Sequence, residues 1–308
     1  MSQKPIIEIN DLFIDYTTDE GKVINAVKGL DLQVNESEVV GFIGPNGAGK
    51  STSIKALMGF REPTSGSVKI FDESPGSVDV RRRIGFLPEV ALYYPFLTAR
   101  EALRMYAKLS EIPRKGREEV IDELLEKVGL TGRDKEPVRG FSKGMLQRVG
   151  IAQAIMGEPD LLILDEVTSG LDPVARYDVR SILMDFRAKG KTVFFSSHEL
   201  SEVTMLCDRV ILIDEGKVLV EGRMDDLLRD FKRYRVTVDC SSLPSDFPSG
   251  IRPHSLGNDQ QVFFADSEQA REEFRKIIQN NQGTILKESE EPGSLEDYFV
   301  HTIGHKVS

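Results

Sequence analysis

The chain has 308 residues, 40% of them hydrophobic and 29% charged, a length that admits two domains and a composition that excludes a disordered or fibrous protein. A formal net charge of −10 with no offsetting basic tract argues against a nucleic-acid backbone or an anionic lipid surface as the main partner. Met1-Ser2-Gln3-Lys4-Pro5 forms no apolar signal core, and no apolar run approaches the ~20 residues of a spanning helix, so a cytoplasmic chain is expected.

Strand-like segments at Ile6 to Tyr16 and Ala26 to Val34, with polar Thr17 to Lys22 as the turn between them, predict an antiparallel flank. Val39-Val40-Gly41-Phe42-Ile43 then reads as a buried strand, and Ser53 to Met58 as a helix that Gly59 stops. Between them stands Gly44-Pro45-Asn46-Gly47-Ala48-Gly49-Lys50-Ser51-Thr52, a full phosphate-binding loop in the context the motif requires. Glycines at 44, 47 and 49 let the backbone wrap an anion and aim amide N–H groups at phosphate oxygens. The helix that follows turns its positive end to the same place. Lys50 reaches the β- and γ-phosphates as a mobile cation, and the Ser51 hydroxyl is a ligand for the Mg²⁺ that bridges them. A nucleoside triphosphate is the expected ligand.

Ser67 to Phe71 and Arg83 to Leu87 predict further strands, after which the chain becomes helical between about Thr98 and Ile155, an inserted subdomain at about 96–157. There Thr98 and Glu101 have capping-box spacing, Ala102, Leu103, Tyr106 and Leu109 form an apolar face, and Pro113 ends it. A second helix starts at Glu118, buries Ile121, Leu124, Leu125 and Val128, and has Gly129 for its C-terminal cap. Leu161-Leu162-Ile163-Leu164-Asp165-Glu166 is the pattern of a parallel strand buried on both faces and ending in two carboxylates. Asp172 caps a helix with Pro173 at its first position and Gly190 beyond its end. Thr192 to Ser197 and Arg209 to Asp214 read as strands, and Glu215-Gly216 turns the second into a hairpin with Val218 to Val220. The core ends near Gly222.

From Arg223 the texture changes: a helix at Met224 to Phe231, a strand at Tyr234 to Val238 and a Ser-, Pro- and Gly-rich loop from Ser241 to Gly257. A strand at Gln261 to Phe264, a charged helix at Ser267 to Gln279, a strand at Gly283 to Lys287 and a helix at Ser294 to His301 complete a small α+β unit over 223–308. Cys207 and Cys240 have no partner at metal-ligand spacing and read as two core thiols in a reducing compartment.

A phosphate loop does not choose among kinases, GTPases and transport ATPases; four further segments do. Phe141-Ser142-Lys143-Gly144-Met145-Leu146-Gln147-Arg148 resembles the LSGGQ signature of ABC ATPases. It is followed by the Asp165-Glu166 strand end, by Ser169-Gly170-Leu171-Asp172 and by His198, an order similar to that family across residues 1 to about 222. The fold this implies is α/β: a P-loop ABC-type core over 1–222, with a mixed sheet, an antiparallel flank and the helical insert, plus the C-terminal α+β domain. The resemblance implies roles as well. Asp165 holds Mg²⁺ through its water shell, Glu166 polarises the attacking water, and His198 contacts the γ-phosphate. Tyr16 is the aromatic on which adenine stacks, with Phe13 nearby and a plain core aromatic as the alternative reading. Ser142 with Lys143, Gly144 and Met145 serves the ATP held by a second copy of the chain, and the loop carrying Ser169 and Asp172 lies at that dimer interface.

Two departures from the family pattern stand out. Lys143 replaces a glycine and Met145 a glutamine; Lys143 either adds a cation near phosphate or faces solvent. Glu89, in Gly85-Phe86-Leu87-Pro88-Glu89, stands where the family commonly has the glutamine that contacts Mg²⁺ and senses the membrane partner; a carboxylate also ligates Mg²⁺ through oxygen. Ser-Lys-Gly-Met, Leu-Pro-Glu and the terminal Pro292-Gly293-Ser294-Leu295-Glu296-Asp297-Tyr298-Phe299 resemble the branch paired with separately encoded export permeases. The expectation is an ATP-hydrolysing subunit of an exporter, dimeric around ATP and Mg²⁺, peripheral on the cytoplasmic face through its permease, with no nucleic-acid partner. The rival reading is a soluble ABC-type mechanoenzyme acting on ribosomes or DNA; a non-catalytic binding module would need a broken site, and Asp165, Glu166 and His198 are all present.

Overall fold

The computed structural model describes residues 4–230, 232–239, 247–248, 250–256 and 261–293, with 295 and 298. The chain divides into two units, Met1–Gly222 and Arg223–Ser308.

In the first unit β1 (Pro5–Thr17) pairs antiparallel with β2 (Val23–Asn35). A register shift between Ile9 and Leu12, with Asp11 at φ 45°, lets Ile7 and Ile9 and then Leu12 and Ile14 turn to the same core across the bulge. β3 (Val39–Ile43) is buried at every position and leads into α1 (Lys50–Leu57). β4 (Ser65–Ile70) returns to the free edge of β1, giving a three-stranded sheet β2-β1-β4. A short α2 (Val78–Arg82) precedes β5 (Ile84–Leu87).

The insert follows as α3 (Ala99–Leu109), α4 (Arg117–Lys127) and α5 (Lys143–Ala154). The expected capping box forms: the Glu101 amide donates to the Thr98 hydroxyl at 3.2 Å, and the Thr98 amide to the Glu101 carboxylate at 2.8 Å. Leu109 departs from the expected face and is 71% exposed. The buried stripe of α3 is Ala99, Ala102, Leu103 and Ala107, and Leu109, seven residues after Ala102 at the border of that stripe, is the last residue of the helix and extends beyond the packed part.

Arg100 pins the loop after α4 to α3. Its Nε donates to Asp134 at 2.8 Å and its Nη2 to Asp122 at 2.6 Å, and the Arg100 amide bonds the Asp134 carbonyl at 3.1 Å. The hydrogen bond from Arg100 holds the Asp134 carboxyl below the usual carboxylate range. A depressed carboxyl adds stability above its unfolded value of about 3.9 and loses it as pH falls through the folded value. Arg100→Met should therefore lower stability at pH 7, with the gap to wild type closing below about pH 4; urea melts at the two pH values test this, and a gap that does not change would contradict it.

β6 (Leu161–Leu164), α6 (Pro173–Ala188), β7 (Thr192–Ser197), α7 (Leu200–Leu206), β8 (Arg209–Asp214) and β9 (Lys217–Arg223) complete the unit. The strands assemble as β5-β6-β7-β3-β8-β9, and the first five pair parallel throughout. β6 and β7 are buried at every residue, the mark of a sheet covered on both faces. Glu215 and Gly216, both left-handed, make the tight turn from β8 to β9. Phe42 and Phe194 pack with ring centroids 5.3 Å apart in a core that reaches from Ile7 and Leu30 of the flank to Ile163 and Ile211 of the main sheet. Each such buried side chain contributes about 2 kcal/mol of transfer free energy. Because these strands run in one direction, the loops after β3, β5, β6 and β7 all leave from one edge of the sheet, where ligands of α/β folds bind.

The second unit opens with α8 (Met224–Asp230) and builds an antiparallel sheet ordered β11-β12-β10-β13 from β10 (Lys232–Asp239), β11 (Ile251–Leu256), β12 (Gln261–Ala265) and β13 (Thr284–Pro292). Helix α9 (Glu268–Asn280) places Ala270, Phe274 and Ile278 on Val236, Val238 and Phe263.

Two expectations need correction here. The end of the segment read as loop, 251–256, is a strand. It is an edge strand whose register shifts between Pro253 and Ser255, the setting in which proline is tolerated in a sheet. β13 also runs past Lys287 to Pro292, its acidic residues held by cations: Arg275 Nε donates to Glu288 at 2.8 Å, and Arg233 lies 3.7 Å from Glu291. Cys207 is buried beside Gly41, and burial pushes its thiol up. Cys240, Phe231 and, apart from Leu295 and Tyr298, the expected helix at 294–301 lie outside the described residues.

Candidate functional site

The phosphate loop is strung between strand and helix by close backbone contacts. A Cβ on Gly44 would lie 2.2 Å from the Ile213 carbonyl of β8, and one on Gly49, which has φ 104°, 2.7 Å from the Ala26 carbonyl. Both positions therefore demand glycine on steric grounds. Helix α1 begins without a side-chain cap and without an acid in its first turn, so its amides and positive end are left to an external anion.

One cleft of about 470 Å³ collects much of the expected site: Tyr16, Pro45, Asn46, Gly47, Gly49, Lys50, Ser51, Thr52, Glu89, Glu166, Ser169 and His198 line it. At its centre the Lys50 ammonium donates to the Gly44 carbonyl at 2.6 Å and lies 3.3 Å from Glu166 Oε1. Only 7% and 9% of these two side chains is exposed, so their charges act on each other and on any bound phosphate with little solvent screening. The other carboxylate oxygen of Glu166 meets His198 Nδ1 at 2.5 Å. Glu166 has φ 50°, an uncommon backbone conformation for a glutamate and the kind that collects at functional sites.

Asp165 is buried under the cleft, and Ser196 ties it to Glu166. The Ser196 hydroxyl donates to Asp165 Oδ1 at 2.6 Å and accepts from the Glu166 amide at 2.9 Å. Sequence reasoning missed this serine, although a Ser-Ser-His end on the apolar strand β7 is the signal that marks it. Arg61 was missed as well: its guanidinium carbon lies 4.6 Å from the Tyr16 ring centroid while Nη2 donates to the Asp15 carbonyl at 2.5 Å. Gln147, buried on α5, donates to the Val167 carbonyl at 3.0 Å and joins the signature helix to the turn after Glu166. Gly44 and Ala48 belong to the loop without lining the cleft.

Among the described residues no three His, Cys, Asp or Glu side chains come together as a protein-only metal cluster. Ser51 and Glu89 in the cleft and Asp165 beneath it are an all-oxygen set with few charges, which fits Mg²⁺ held jointly with phosphates rather than by a protein cage.

The signature residues lie apart from this cleft. Ser142, Gly144 and Met145 line a second hollow of about 290 Å³ with Arg148 and Asp172. Ser142 caps α5, its hydroxyl accepting from the Met145 amide at 3.2 Å, and Asp172 caps α6, one oxygen accepting from the amides of Val174 and Ala175. Lys143 is exposed and packs over Gly170, where an added Cβ would lie 2.8 Å from its ammonium. The structure thus brings together the phosphate loop, Glu89, Glu166, Ser169 and His198, and does not bring the signature to that group within one chain.

Comparison with known proteins shows which family and which solved structures this chain is similar to. The family model described as ABC transporter matches residues 27–169. An uncharacterized ABC transporter ATP-binding protein of Nostoc sp. is 43% identical over 92% of this chain and 84% of its own length. The bacitracin transport ATP-binding protein BcrA of Bacillus licheniformis is 37% identical over 94% of this chain and 96% of its own. Among solved structures, a dimeric ATP-binding cassette in a post-hydrolysis state, bound to ADP and Pi, matches with a TM-score of 0.65 and 26% identity over 71% of this chain and 98% of that one.

Proposed function

The chain belongs to the ABC transporter ATP-binding proteins and is an ATPase, and from that premise we propose that it drives an export permease encoded as a separate chain. The observation that carries the site assignment is the row Lys50–Glu166–His198 along the phosphate loop, in which the first two side chains are buried and the histidine opens to solvent. Lys50 and the amides of residues 44–52 hold the triphosphate, Tyr16 stacks on adenine, and Glu166, aligned by His198, orients and polarises the attacking water. Ser51, Glu89 and Asp165 would hold Mg²⁺, which would supply charge neutralisation to the bound phosphates.

Two chains close head to tail over ATP, the Ser142–Met145 end of one α5 completing the other chain's site. This accounts for a signature that does not line its own cleft. It also matches the dimeric form of the post-hydrolysis cassette. Hydrolysis then releases the pair.

The loop after Glu89 supports a membrane partner. Val90, Leu92, Tyr94 and Phe96 are exposed, and Tyr93 between them is anchored by its hydroxyl to Gln153 of α5 at 3.0 Å. An apolar segment of a permease seated here reaches the signature helix directly. Among the described residues no helix is long and apolar enough to cross a membrane. The names of two relatives, one of bacitracin transport and one of linearmycin resistance, support a transport role.

The test is to tag the chain in its own cells, extract membranes in mild detergent and identify what co-purifies. A stoichiometric polytopic protein is the expected result. Recovery only in soluble fractions with ribosomal or DNA-repair proteins would overturn the transport reading and leave the ATP site intact.

A further inference from the structure

The histidine at the cleft stands two residues before a short helix, and Glu199 between them is the N-cap of that helix. Helix α7 has seven residues, and Glu199 at its N-cap makes no side-chain cap bond. An acid at that position ordinarily accepts from the amides of its own first turn. Here the Glu199 carboxylate is turned instead to Arg176 Nη1 on α6. The same guanidinium donates through Nε to the Leu171 carbonyl at 3.0 Å, in the loop between Ser169 and Asp172.

The neighbours of this pair repeat the pattern. Arg180, one turn along α6, makes a two-pronged bond to the buried Glu202 carboxylate at 3.1 Å to each oxygen. Arg187 pairs with Asp208, whose second oxygen accepts from the Val39 amide at 2.9 Å. Positions 176, 180 and 187 fall on one stripe of α6, and their carboxylate partners are spread along the whole segment from Glu199 to Asp208. Opposite them, Arg148 of the signature helix pairs with Asp178 of α6. Of these pairs only Arg176–Glu199 touches both the Ser169–Asp172 loop and a residue adjacent to His198.

We propose that Arg176 is a positioning residue for ATP hydrolysis: through Glu199 it sets His198 against Glu166, and through the Leu171 carbonyl it makes that placement depend on the Ser169–Asp172 loop. The physical reason is geometric. A guanidinium offers donors in a rigid planar fork, so its two bonds fix the distance between the loop and Glu199 in a way a flexible ammonium does not. His198 is covalently next to Glu199 and 2.5 Å from Glu166, so a shift of Glu199 is passed to the hydrolytic carboxylate. In the head-to-tail dimer the loop faces the second chain, and closure of the dimer would set the histidine by this route. This rests on the assignment of Glu166 and His198 to the hydrolytic step.

The test is steady-state ATP hydrolysis and equilibrium ATP binding by the full chain carrying Arg176→Met, Arg176→Lys, Glu199→Gln or the exchanged pair Arg176→Glu with Glu199→Arg. The two neutral variants should lower kcat about tenfold, the cost of misplacing an oriented group, while KM and ATP affinity stay within about twofold. Arg176→Lys should recover little, and the exchanged pair, which rebuilds the ion pair without the bond to the Leu171 carbonyl, only part of the loss. An unchanged kcat overturns the proposal. So does a fall in kcat matched by an equal fall in ATP binding, because that is the signature of a structural role. Should Arg176→Met fail to fold, Glu199→Gln, which keeps the side-chain shape, decides by the same split. The site assignment is read separately: full turnover in Glu166→Gln overturns that assignment, whereas an inactive Glu166→Gln beside a fully active Arg176→Met overturns the role of Arg176 alone.

Discussion

Glu166→Gln should cut ATP turnover by about a hundredfold to ten-thousandfold, the range supplied by a positioned general base, while ATP remains bound. The direction of each effect follows from where the carboxylate sits. One of its oxygens meets His198 at 2.5 Å and the other lies 3.3 Å from the Lys50 ammonium, with Glu166 and Lys50 themselves buried. The amide keeps the shape and the backbone bond from Glu166 N–H to Ser196, so the turn after β6 is retained. What disappears is the negative charge that accepts a proton from water and that competes with phosphate for Lys50. ATP affinity is therefore held or rises, and a chain that binds ATP without hydrolysing it accumulates as the closed dimer. Phosphate release and gel filtration with ATP measure the two halves of this expectation. Unchanged hydrolysis would remove Glu166 from the reaction, and a monomer that holds ATP would remove the head-to-tail closure.

This site was legible in the sequence because its parts are local and terminal. The phosphate loop is nine consecutive residues, and its glycines at 44 and 49 stand where a Cβ would meet the Ile213 and Ala26 carbonyls. Asp165 and Glu166 end an apolar tetrad whose burial on both faces follows from its composition. The parallel order of the strands then brings these separate ends to one edge.

What the sequence did not disclose is held by distant partners. Helix α7 has seven residues and no side-chain cap bond, and besides its buried Val203 and Leu206 it is held by Arg176 and Arg180 of another helix, which reach Glu199 and Glu202. Ser196 joins Asp165 to Glu166 from the neighbouring strand, a contact that no spacing along the chain expresses. β11 carries a proline and polar residues that read as loop, and only its place at the sheet edge makes it a strand. β13 was cut short for a related reason, since its acidic run reads as a solvated segment until Arg275 and Arg233 are seen across from it. Leu109 shows the converse error, an apolar residue at helical spacing that faces solvent because it is the last residue of α3, beyond the buried Ala99, Ala102, Leu103 and Ala107.

The second large effect concerns Lys50, where truncation does two things in the same direction. Lys50→Ala removes the cation that meets the β- and γ-phosphates, a charged hydrogen bond of about 1.5–3 kcal/mol, and with it roughly 10- to 100-fold in ATP affinity. It also leaves the Glu166 carboxylate, 9% exposed, without its counter-charge beside the incoming phosphates. The loss should therefore sit at or beyond the upper end of that range. The two contributions separate in a double variant: Lys50→Ala with Glu166→Gln should bind ATP more tightly than Lys50→Ala alone, because the repelling carboxylate has gone while the lost bond has not returned. Calorimetric titration of ATP into the four proteins closes the cycle. Near-normal affinity in Lys50→Ala would contradict the role of the lysine. Equal affinities in the single and double variants would show that Glu166 does not act on the phosphates through its charge, which would leave its part in water activation as its whole contribution.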